Sequence, residues 1–158
     1  MKLILALVAM IVGATSLRAA PPPPPTPTSF SAYLGGFLGP SEQIELHGGT
    51  LSFTASGGHY RHPIQMSITP TAAQWLKFRQ ALDALNVWRW RKNYPNNGAQ
   101  DGTQWSLSIA YPDHKITTRG DNNFPNADGK PNGNPEATKT FEDFKDAVKK
   151  LTGGKAFR

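Results

Sequence analysis

The chain has 158 residues and no cysteine, and its 17 basic side chains against 11 acidic ones give a formal charge of +6. The absence of cysteine excludes a disulfide framework, a thiol nucleophile, a thiolate metal site and a lipid-anchored amino terminus. The basic excess is modest, falls further once Lys2 and Arg18 leave with the leader described next, and lacks the basic stripe that makes nucleic acid an expected partner.

Lys2 precedes an apolar run over residues 3–14, and small residues lead on to the prolines at 21–25. That length fits a signal-peptide core of about 7–15 residues and is short of the ~20 needed to span a bilayer. Residues 1–19 therefore read as a secretory signal peptide, with cleavage expected after Ser16 or Ala19. The expectation is an exported protein, periplasmic or secreted, with no membrane span after cleavage. Residues 20–29 read as a proline-rich, disordered linker, a polyproline II spacer of about 3.1 Å per residue. Residues 30–158 read as a single α+β domain, large enough to fold without staples.

Over residues 30–40, Phe30, Tyr33, Leu34, Phe37 and Leu38 stand among Gly35, Gly36 and Gly39, which predicts an irregular edge segment whose aromatics pack on the domain. Ile44 and Leu46, then Leu51, Phe53 and Ala55, alternate with polar residues on either side of Gly48-Gly49. This predicts a β-hairpin in which His47 faces Thr50, Leu46 faces Leu51 and Ile44 faces Phe53. Gly57-Gly58 then turns the chain into a third strand carrying Ile64, Met66 and Ile68.

Thr71 and Gln74 have capping-box spacing ahead of Trp75, Phe78, Leu82 and Leu85, predicting a helix that Asn86 ends in the left-handed conformation. Turn signals at Asn97-Gly98 and Asp101-Gly102 precede a second hairpin, with Ile109 facing Ile116. Residues 120–135 hold little besides Asn, Asp, Gly, Pro and Lys, and predict a long mobile loop. Phe141, Phe144, Val148 and Leu151 then mark a second amphipathic helix, ending at Lys149, Lys150 and Gly153-Gly154. The order βββαββα predicts an α+β fold: an antiparallel sheet of about five strands with two helices packed on one face.

No nucleophile elbow, zincin helix, phosphate loop or dinucleotide fingerprint is present, so no catalytic residue and no cofactor is assigned. His59 and His62 on an extended segment point to opposite faces and make no zinc site. Read as an EF-hand, the loop would need oxygen ligands where Phe124 and Pro135 stand, so no metal is assigned there. The most distinctive surface candidate is Trp88, Arg89, Trp90, Arg91, Lys92 and Tyr94. If the helix ends at Asn86 and the chain becomes extended, both indoles fall on one side and Arg89 and Arg91 on the other. The alternative is that both indoles close the end of the core.

Trp88-Arg89-Trp90, Tyr94, Asp101-Gly102-Thr103-Gln104-Trp105, Gly120-Asp121-Asn122-Asn123-Phe124-Pro125 and Leu151-Thr152-Gly153-Gly154 together resemble a group of uncharacterised bacterial proteins, often exported. The resemblance covers residues 75–157, implies a bacterial origin and one compact domain, and brings no established activity.

The residues therefore favour a non-enzymatic exported binding or interaction domain. Its ligand-binding candidates are Trp88, Trp90, Arg91, Tyr94, Asp121 and Asn123, and its expected partner is an envelope protein or a glycan. A glycan-binding module using stacked tryptophans is the second reading, and a hydrolase using Asp101, Asp121 and a histidine is the third.

Overall fold

A computed structural model describes residues 26–36, 39–96, 98 and 101–157. The leader at 1–19, most of the proline run, Phe37, Leu38 and Asn97 lie outside the described residues. The α+β class holds, with a sheet larger than expected and mixed in direction. Among the described residues seven strands run in the order β4-β3-β2-β1-β6-β7-β5: β1 Ser29–Gly36, β2 Ser41–His47, β3 Thr50–Ser56, β4 Ile64–Ile68, β5 Asn93–Tyr94, β6 Thr103–Ala110 and β7 Lys115–Asp121. Every neighbouring pair is antiparallel except β5 with β7, which is parallel.

The two additional strands explain the difference from five. The segment read as an irregular edge is β1, the middle strand of the sheet, paired with β2 and β6. Phe30 and Ala32 are buried on one face while Ser31 and Tyr33 point to the other, a period-2 pattern that the glycines after it obscure. Ser29, placed in the linker by the sequence, already pairs with Ala110. The second addition is β5, only two residues long and held to β7 in part by the Arg119 amide, which donates to the Lys92 carbonyl at 3.1 Å. Both predicted hairpins have the expected register, His47 with Thr50, Ile44 with Phe53 and Ile109 with Ile116.

The first helix, α1 Ala72–Ala84, begins with the capping box the sequence predicts. The Gln74 amide donates to Thr71 Oγ1 at 3.2 Å, and the Thr71 amide donates to Gln74 Oε1 at 2.8 Å. Gln74 Nε2 also donates to the Leu151 carbonyl at 3.2 Å, so one side chain serves the start of α1 and the end of the second helix, α2 Lys139–Leu151. Asn86 ends the α1 region at φ 54°. None of the helices among the described residues is long and apolar enough to cross a membrane.

Both helices cover the same sheet face. Phe30 meets Trp75 and Phe78 of α1 edge-on, with ring centroids 6.1 and 5.4 Å away, and Trp105 meets Phe141 of α2 at 4.9 Å. Each such pair adds about 0.5–1.5 kcal/mol beyond the area it buries. Near its carboxyl end the chain returns to this face, where buried Glu42 accepts from the Tyr60 hydroxyl at 2.8 Å and from the Phe157 amide. Among the described residues no helix covers the opposite sheet face.

The loop after β7 corrects the expectation of a mobile segment. Phe124 is buried against Trp105 and Phe141, and the asparagines around it act as connectors. Asn123 Nδ2 donates to the Pro95 carbonyl at 2.9 Å, Asn132 Oδ1 accepts from the Phe124 amide at 3.0 Å, and Asn122 Oδ1 accepts from the Thr103 amide at 2.6 Å. An asparagine offers both donor and acceptor, so a loop with one apolar side chain is held by polar ties.

Candidate functional site

The Trp-Arg segment forms no single stacking face. After Asn86 the chain makes a 3₁₀ turn, Val87–Arg89, instead of extending, and this rotates the two indoles apart. Trp90 is 6% exposed and packs against Trp105 and Phe144 at 6.1 and 5.5 Å. Trp88 is half-buried elsewhere, its Nε1 donating to Asp83 Oδ1 at 2.6 Å and its ring tilted against His114 at 5.1 Å between centroids. Tyr94 is buried, its hydroxyl donating to the Gly129 carbonyl at 2.7 Å and accepting from the Arg91 amide at 2.9 Å. Burial pushes its phenol up, and the Arg91 amide acts against that shift. Asn123 is buried in the loop ties described above, Arg91 keeps an exposed side chain, and Asp121 is half-buried at the end of β7.

Trp88 belongs to a clamp that the sequence did not reveal. Arg79 of α1 is 5% exposed, yet its guanidinium pairs with both oxygens of Asp113 at 2.9 and 2.8 Å and with Asp83 at 2.9 Å. It lies 5.1 Å from the centroid of Trp88 and 4.6 Å from that of Tyr111. The bond to Asp113 outweighs burial and, with Asp83, holds Arg79 charged far above its usual range. Arg79 first and His114 second hold Asp113 well below the usual carboxylate range. Burial pushes the Tyr111 phenol far up. These contacts join α1 to the β6–β7 turn and engage all three guanidinium nitrogens, so the clamp is structural.

The uncovered sheet face has a different chemistry. Strand register places one residue from each strand in a single row, Gln65, Thr54, Gln43, Tyr33, Ser106, Arg119 and Asn93. With strands about 4.8 Å apart, the row spans about 29 Å. The row beside it is Ser67, Ser52, Glu45, Ser31, Ser108 and Thr117. Hydroxyls and amides dominate both rows, and the few charges near them include both signs.

Tyr33 stands at the middle of the first row and lines three clefts, two of which follow the row. One, of about 630 Å³, is lined by Tyr33 with Asn93, Asn96, Gln104, Ser106, Arg119 and Asp121. The other, of about 420 Å³, is lined by Tyr33 with Ser41, Gln43, Thr54, Pro63 and Gln65. The Tyr33 ring lies along β1 over Gly35, where a β-carbon would come within 2.7 Å of Cζ, and its hydroxyl is 3.4 Å from Ser41 Oγ. Glycine at 35 thus lets the ring lie down on the sheet. In the larger cleft Arg119 Nε donates to Asn93 Oδ1 at 3.0 Å, and Asn96 Nδ2 is 3.4 Å from Asp121 Oδ1.

Of the sequence candidates, the structure brings Asp121 to this cleft, with Tyr94 buried in its floor, and leaves Trp88, Trp90, Arg91 and Asn123 out of its lining. Sequence reasoning passed over Tyr33 as a site residue. Its signal was an aromatic at an outward position of an alternating strand with glycine two residues on. Asp101 and Asp121, weighed with a histidine as a hydrolytic set, line one recess of about 390 Å³ whose described lining contains no histidine. Among the described residues no three His, Cys, Asp or Glu side chains converge. No protein-family model matches this chain, and no curated protein matches it.

Proposed function

We propose that this chain is a non-enzymatic, exported binding module whose open sheet face holds an uncharged glycan. The observation that carries the reading is Tyr33, reaching along β1 over Gly35 between two clefts rich in amides and hydroxyls. An aromatic face suits the C–H surface of a sugar ring, and Asn, Gln, Ser and Thr supply the paired donors and acceptors that sugar hydroxyls need. Charges of both signs on this face, Arg119 and Asp121 near the larger cleft and Glu45 and Lys115 farther along the sheet, favour an uncharged ligand over an acidic one. A protein partner is less well served, because the open face lacks the apolar anchors of an interface core; the large exposed hydrophobic among the described residues, Leu76, sits on α1.

The test is affinity electrophoresis of the folded protein in native gels containing soluble dextrin, β-glucan, galactomannan or xylan. At least one polymer should retard the wild type, Tyr33→Ala should abolish the retardation, and Arg91→Ala should leave it unchanged. Free migration in all four gels would overturn the glycan reading. Retardation that survives Tyr33→Ala would move the site off this face.

A further inference from the structure

The row through Tyr33 runs across the strands and is continuous over all seven of them. This geometry distinguishes a chain ligand from a terminal sugar. A site for a chain end is a closed pocket that recognises one ring from several sides. Here both clefts are lined by Tyr33, one on each side of it, and polar side chains continue outward in both directions, to Gln65 on one edge and Asn93 on the other. The spacing along the row is the strand spacing, about 4.8 Å, which is close to the length of one pyranose unit.

We infer that the open face holds a single uncharged polysaccharide chain threaded across the strands, with about one sugar ring per strand interval and Tyr33 under the central rings. This rests on the glycan reading above and adds direction, length and physical state. The physical state follows from sheet twist. Neighbouring strands are rotated by about 20°, so a seven-stranded row turns through about 120° from edge to edge. A flat crystalline polymer surface touches only a short part of such a path. One flexible chain follows all of it.

The two arms differ in size, so they separate experimentally. The cleft on the Asn93 side is the larger, about 630 against 420 Å³, and short oligomers occupy it together with Tyr33. The smaller arm, with Thr54 and Gln65, is reached only by longer chains.

Calorimetric titration with malto-, cello-, chito- and β-1,3-gluco-oligosaccharides of graded length, alongside pull-down on crystalline cellulose and chitin, tests this directly. In the series that binds, affinity should rise with length and level off at about six units, the number of strand intervals. Thr54→Ala combined with Gln65→Ala should weaken the hexamer about tenfold, the loss of roughly two net hydrogen bonds, and leave the trimer unchanged. Both crystalline polymers should leave the protein in the supernatant. Affinity already complete at the disaccharide and still dependent on Tyr33 would overturn the threaded chain while the glycan reading stands. Strong pull-down by a crystalline polymer would overturn the single-chain form. Absence of binding in every series would remove both proposals.

Discussion

Gly102 and Asn122 meet where β6 begins and β7 ends, at the recess beside Tyr33. A methyl group added at Gly102 would coincide with the Asn122 amide, which is 2% exposed and whose Oδ1 accepts from the Thr103 amide at 2.6 Å. Gly102→Ala must therefore expel that side chain. Leaving the Thr103 N–H unpaired costs about 1–3 kcal/mol. Overfilling the site costs about 1–3 kcal/mol more. Against these stands a gain of about 0.4–1 kcal/mol from a stiffer unfolded chain. The net loss is about 3 kcal/mol, which lowers Tm by about 10 °C for a domain of this size. Asn122 sits at φ 47°, a conformation glycine takes freely, so Asn122→Gly loses one hydrogen bond without strain, about 1–2 kcal/mol. In the double variant the collision is gone. It should be no less stable than Asn122→Gly alone, giving a coupling of at least about 3 kcal/mol. Urea unfolding of the four proteins, followed by tryptophan fluorescence, measures this cycle. A Gly102→Ala protein within about 0.5 kcal/mol of wild type, or strictly additive losses, would refute the packing argument.

Acrylamide quenching should find Trp88 to be the accessible indole, since Trp75, Trp90 and Trp105 are 2, 6 and 2% exposed. Trp88→Phe should remove the quenched component and Trp90→Phe should keep it; the reverse would place Trp90 at the surface. Arg79 lowers the folded-state affinity of Asp113 for protons, so the stability from that pair is present above the ordinary carboxylate range and is lost as pH falls below about 4. Asp113→Asn should accordingly flatten the acid limb of a Tm-against-pH curve, and an unchanged limb would assign it to other groups. Burial raises Tyr94 and Tyr111, so the unfolded state ionises first and stability falls as pH rises above about 10. Absorbance at alkaline pH should show these two phenols ionising only with unfolding, a delayed step that Tyr94→Phe and Tyr111→Phe should each reduce; full ionisation in the folded protein would contradict their burial.

What could be read from the sequence was what local periodicity encodes. Leu46 facing Leu51 and Ile109 facing Ile116 follow from alternation about a short turn, and Thr71 with Gln74 follows from spacing alone. Elements made by distant partners were hidden. Phe30, Ala32 and Leu34 alternate over only three inward positions, and the strand becomes central only because β2 and β6 flank it. Arg79 reads as a surface cation beside Asp83 until Asp113, 34 residues away, completes its clamp. Asn122 and Asn123 read as solvated turn residues, yet their amides bond to Thr103 and Pro95 across the fold. The indoles of Trp88 and Trp90 parted because three residues of 3₁₀ turn replaced an extended chain. The candidate site was the least legible feature. Its seven residues come from seven strands and form a row only once the whole register is known.

Amide and side-chain NMR of the labelled full chain, titrated with hexasaccharides of the four series, tests the central claim most directly. The account predicts that one series shifts the row from Gln65 through Thr54, Gln43, Tyr33, Ser106 and Arg119 to Asn93, with the Tyr33 ring moving most and the outward residues of α1 and α2 still. Shifts centred on the helices or on Trp88 and Arg91 with the row unmoved, or no shifts in any series, would contradict it.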